Sequence, residues 1–131
     1  MVAKDFKAHA FSKVVSADNV ESDDMILDIG RDSIGHVVAA LAASKTLVWN
    51  GPFGAFEMEP FDAGTIEVAE AAAELTEAGK LRSVAGGGDT VAALEHAGAA
   101  DRFTYISTAG GAFLEWLEGK PLPGVEALRV K

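Results

Sequence analysis

The chain alternates short apolar runs with stretches whose apolar residues return every three or four positions. Residues 25–29 (MILDI) form a compact run ending at Gly30. Ile34, Val37, Val38 and Leu41 follow at i, i+3, i+4 and i+7, which puts them on one helix face with Asp32 or Ser33 as N-cap. Residues 46–49 (TLVW) read as a strand stopped by Asn50-Gly51-Pro52, and 65–78 as a helix closed by Gly79. Residues 81–85 form a further apolar run and 90–97 a further helix. Residues 105–107 make a last strand, followed by a helix over 112–118.

This rhythm predicts an α/β layered fold with parallel strand pairing. Residues 2–6 and 13–16 read as strand pieces with no helix between them. A parallel sheet needs both faces covered and its edges protected. The pattern starts inside a strand-like segment, so the sheet is expected to be open at one side.

Composition narrows the function classes. A chain of 131 residues, 49% hydrophobic and 24% charged, is enough for one domain with its own core. No apolar run approaches the roughly 20 residues of a membrane span, and the N-terminal MVAKDFKAHAF lacks the apolar centre of a secretory signal. With no cysteine there is neither disulfide nor thiolate metal site, which fits a reducing cytoplasm. A net charge of -9 argues against a broad nucleic-acid surface. A small anion held by local backbone N–H groups remains compatible with it.

Three loops stand where α/β sheets bind ligands, beyond the carboxyl ends of strands. Gly86-Gly87-Gly88-Asp89-Thr90 runs into a helix, and its bare N–H groups suit a phosphate. Asp89 conflicts with a phosphate unless a divalent cation lies between them, the usual magnesium arrangement, and Thr90 has a hydroxyl to donate. The same residues would serve equally as a turn and a helix cap. The loop is not a Walker A sequence, and Val91 stands where G-x-G-x-x-G needs its last glycine. In 49–57, Pro52 and its apolar neighbours make a wall for a flat base, and Glu57 an acceptor for ribose hydroxyls; a purely structural turn is the other reading. The third loop, 107–112, offers another glycine-opened helix start, or simply a tight turn. Glu67, Glu70, Glu74 and Glu77 share a helix face and read as solvated surface. His9, His36 and His96 have no zinc spacing, and Ser107 has no nucleophile elbow around it.

Taken in order, VAKDFKAHA, MILDIG, VWNGPFGAFE, FDAGT, GGGDTVAALE and STAGGAFLEWLEGKPLPGVEAL resemble the C-terminal, nucleotide-binding domain of phosphoglycerate kinases over nearly the whole chain. The resemblance implies a Rossmann-like three-layer parallel sheet with helices on both faces, incomplete at one side. It implies reversible phosphoryl transfer between 1,3-bisphosphoglycerate and MgADP, giving 3-phosphoglycerate and MgATP. By motif match, Gly87, Gly88, Asp89 and Thr90 meet the nucleotide phosphates, with Asp89 at the Mg2+. Asn50 and Pro52 flank the nucleotide, Glu57 binds ribose, Leu27 belongs to the adenine pocket, and Gly110 and Gly111 face the transferring phosphoryl group. Such kinases are about three times longer. Their phosphoglycerate-binding N-terminal domain and a glycine-lysine segment are missing from the pattern here, so the chain alone is expected to be inactive. The parent enzyme is implied to be a monomer. A binding module, or a piece that self-associates through its exposed sheet edge, is the alternative.

Overall fold

The structure, a computed structural model, describes residues 1–130. Two small sheets organise it. Strands β1 (Val2–Ala3), β2 (Ser12–Lys13) and β3 (Met25–Ile26) form an antiparallel sheet in the order β2-β1-β3. Strands β4 (Thr46–Asn50), β5 (Arg82–Gly86) and β6 (Tyr105–Ser107) form a parallel sheet in chain order. Helices α1 (Arg31–Ala42), α2 (Ala63–Glu77), α3 (Gly88–His96), α4 (Gly111–Leu117) and α5 (Pro123–Ala127) complete the fold.

The parallel sheet flanked by helices is the α/β arrangement the pattern predicts. Leu47, Trp49, Ala85 and Ile106 point to one face and pack with Ile34 and Leu41 of α1, Val68, Ala69, Ala72 and Ala73 of α2, and Leu94 of α3. The alanines of α2 let it lie close to the strands. Both crossovers step the same way along the sheet, so right-handed connections put α2 and α3 on the same side. The second face meets α4, whose Phe113 ring lies against Gly86. Elsewhere that face is open: Val48, Val84 and Tyr105 line a cavity of about 770 Å³ with Phe113, Trp116, Leu117, Leu122 and Val125. The sequence pointed to an exposed sheet edge; what the structure leaves open is this face.

Two expectations about elements change, and one element is new. Of residues 25–29 only Met25–Ile26 is strand, and it pairs antiparallel with β1 outside the parallel sheet. The chain bends away because the Leu27 and Asp28 N–H groups both donate to the Met1 carbonyl, at 3.0 and 3.3 Å. Helix α1 begins before the expected caps: Gly30 is its N-cap, and Asp32 lies inside the first turn, where a negative charge suits the helix end. Helix α5 was not foreseen; it is one short turn opened by Pro123 at its first position.

Candidate functional site

The register brings Asn50, Gly86 and Ser107 side by side at the carboxyl ends of β4, β5 and β6. All three candidate loops therefore leave the sheet at one level. Gly87, at φ +102°, reverses the chain into α3, and its N–H donates to the Ser107 carbonyl at 3.1 Å. A Cβ on Gly87 would stand 3.5 Å from Thr90 Oγ1 and 3.8 Å from Asn50 Oδ1, and one on Gly110 3.8 Å from the Gly87 Cα. The three loops thus converge around Gly87. Apart from its chain neighbours and the backbone of its own helix, no heavy atom lies within 4 Å of where a Cβ on Gly88 or Gly111 would be. Bare backbone faces open space there.

Thr90 stands at the contact between two of the loops. It is buried, 1% exposed, and its hydroxyl accepts the Gly51 N–H at 2.7 Å. This bond joins the first turn of α3 to the loop after β4, and because the hydroxyl accepts in it, its O–H is still a donor. Asp89, one residue earlier, is exposed.

Asp89 faces a cleft of about 430 Å³, which it lines with Phe6, Pro52, Gly54, Ala55, Phe56, Glu57 and Met58. The structure brings Pro52, Glu57 and Asp89 together as the sequence suggested. It adds Phe6, which sequence reading had assigned only to a strand piece. The signal available was an aromatic residue left unpaired in a segment too polar to bury it. Leu27 is not on the lining; it packs against the small cluster of Ala3, Ala10 and Phe61, as Ala55 and Met58 also do, and its carbonyl accepts the Ala55 N–H at 2.8 Å. Phe53 turns inward, its ring edge-on to Trp49 at 5.5 Å.

Behind the loop lies a buried carboxylate. Asp28 is 4% exposed and accepts the Ile29 and Gly64 N–H groups, each at 2.8 Å. Burial pushes its carboxyl above the usual range, and the two N–H bonds pull against that shift. Further from the cleft, Lys4 sits among Glu21, Asp23 and Asp24, the one group of three acidic side chains within metal-binding reach among the described residues. Its ammonium already occupies the position a cation would take. Among the described residues no helix is long and apolar enough to cross a membrane.

Parallel strands in register, flanked by helices that start at their carboxyl ends, define a protein of the α/β class. The chain belongs to the phosphoglycerate kinase family, whose family model matches residues 1–120. It is 64% identical over 129 residues to a phosphoglycerate kinase of Xanthobacter flavus, covering 98% of this chain and 32% of that protein. To that of Azorhizobium caulinodans it is 66% identical over 129 residues, covering 98% and 33%. The chain thus spans about a third of the length of the curated relatives it matches. Among solved structures, phosphoglycerate kinase from Coxiella burnetii superposes with a TM-score of 0.86 at 42% identity, over 97% of this chain and 32% of that one. The enzyme from Pyrococcus horikoshii gives 0.69 at 38% identity, over 80% and 25%.

Proposed function

We propose that this chain is the nucleotide-binding part of a phosphoglycerate kinase, and that its converging loops hold MgADP or MgATP for reversible phosphoryl transfer to and from 3-phosphoglycerate in glycolysis. The observation that carries this reading is the convergence of Asn50, Gly87 and Gly110 beside open backbone at Gly88 and Gly111. Gly87 and Gly88 open α3, where N–H groups and the helix dipole suit a polyphosphate. Gly110 and Gly111 place the backbone of the third loop toward the phosphoryl group in transit. Asn50 and Pro52 flank the nucleotide, Glu57 accepts from ribose hydroxyls, and Leu27 backs the base pocket through Ala55.

The donor set fits magnesium: one exposed carboxylate, Asp89, at the mouth of a phosphate cradle, with the remaining ligands coming from phosphate oxygens and water. When bound, the ion neutralises charge developing on the phosphoryl oxygens. Both the attacking and the leaving oxygen belong to substrates, so the chain needs no nucleophilic side chain; its part is positioning and electrostatic stabilisation. The acyl phosphate of 1,3-bisphosphoglycerate would be presented by a second domain. The setting proposed is the cytoplasm.

Calorimetric titration of the chain with ADP, with and without Mg2+, tests the site. Binding should be magnesium-dependent, and Asp89→Ala should weaken it roughly ten- to hundredfold, the worth of a charged contact. Binding indifferent to both metal and Asp89 would overturn the reading. A coupled transfer assay of the chain alone should give negligible turnover; full turnover would refute the need for a second domain. A second reading, self-association, is favoured by the open apolar face at Val48, Tyr105 and Trp116, which are 48%, 58% and 61% exposed.

A further inference from the structure

Resting on the nucleotide reading of the cleft, we infer that Asp28 is a positioning residue: its buried carboxylate fixes the path of residues 51–62, the loop that carries Pro52 and Glu57. The first N–H groups of a helix have no partner within it and need acceptors. Helix α2 does not supply its own. Its N-cap Asp62 makes no capping bond; its Oδ2 lies 3.0 Å from His96 Nε2 instead. Asp28 fills the vacancy from 36 positions away in sequence, through Oδ2 and the Gly64 N–H at 2.8 Å. Its other oxygen takes the Ile29 N–H, so both oxygens accept a backbone donor.

The same carboxylate touches the loop near its start and just beyond its end. A Cβ on Gly54 would stand 2.7 Å from Asp28 Oδ1, and one on Gly64 2.5 Å from it, so both glycines are pressed against the same atom. The Ala55 N–H to the Leu27 carbonyl at 2.8 Å, and Thr65 Oγ1 to the Phe53 carbonyl at 2.6 Å, close the clamp. What lies between, from Phe56 to Met58, lines the cleft and carries Glu57. A neutral amide cannot do this work. The NH2 of an asparagine would confront one of the two N–H donors, although its shape is nearly unchanged.

The test uses Asp28→Asn in the full chain, read by 15N amide spectra and by MgADP calorimetry well below its unfolding temperature. The amides of residues 53–58 and of Gly64 should move, and the MgADP dissociation constant should rise by roughly ten- to a hundredfold. The magnesium dependence of binding should persist, because Asp89 is untouched. Arg102→Met, which lowers stability at a distance from the cleft, should leave the dissociation constant as it is; that separates positioning from general destabilisation. Unmoved loop amides with unchanged affinity in Asp28→Asn would overturn the inference. If the unmutated chain binds no MgADP, the nucleotide reading falls, while the loop amides still decide whether Asp28 sets the loop. Should Asp28→Asn be insoluble, Asp28→Ser, which keeps one oxygen in a smaller volume, carries the same two readouts.

Discussion

At Gly54 the backbone stands at φ +54°, and a Cβ would meet the Leu27 carbonyl oxygen at 2.5 Å. Two penalties add there: left-handed geometry for an L-residue and overpacking against atoms that cannot retreat. Gly54→Ala should therefore cost about 2–4 kcal/mol of stability, measured by urea denaturation. Gly51, also at positive φ but with nothing within 4 Å, should tolerate alanine better. Sequence alone ranks these two glycines together, because both sit in the NGPFG stretch; the approach of Leu27 and Asp28 separates them. Thr90 teaches the same lesson from the polar side. Its identity and place in the motif were legible, but the partner that decides its direction, the Gly51 N–H, lies 39 residues away.

Among the elements, α2 is tied to the turn before β6 by one guanidinium. Arg102 reaches Glu70 with Nη1 at 2.8 Å and Glu77 with Nε at 2.8 Å. The Arg102 hydrogen bond and charge hold the Glu77 carboxyl below its usual range. A lowered carboxylate contributes stability that is present above the unfolded value and lost as pH falls through the folded one. Glu21, lowered by the hydrogen bond from Lys4 and then that from Lys13, has the same sign, and so does Asp24, lowered first by the Glu21 N–H. Asp28 has the opposite sign: its burial penalty is present at neutral pH and eases as pH falls. Arg102→Met should thus lower the melting temperature at neutral pH and flatten its decline below about pH 4.5, measured by thermal unfolding across pH. Added salt should shrink the neutral-pH difference, since Glu70 and Glu77 are half-exposed. The glutamate stripe was legible as solvated surface from its spacing. Its cation was not, because Arg102 comes from another segment. Helices α1 to α3 and the parallel strands were legible because their apolar periods are long enough to register. Strand pieces were legible where β1 to β3 lie, but at two residues each they carry no period, so their antiparallel pairing apart from the parallel sheet was not.

The whole molecule has one finished side and one bare one. Three helices cover the first face of the parallel sheet, while Val48 and Tyr105 look into an open apolar cavity with α4 and α5 at its rim. An apolar surface of that kind on a free chain favours association. Sedimentation at increasing concentration should reveal reversible dimers, and Val48→Lys with Tyr105→Lys should return the chain to monomers without weakening MgADP binding. A strictly monomeric chain at every concentration would show that the face stays solvated. The formal charge of -9 opposes such contact, so raising the ionic strength should promote it.

The strands of the parallel sheet lie in the order in which the chain delivers them. No strand has to be threaded between two that are already paired; each new one docks on a free border. A nascent chain leaving the ribosome can therefore build this sheet progressively, β4 waiting for β5 and β5 for β6, with each intervening helix closing behind its strand.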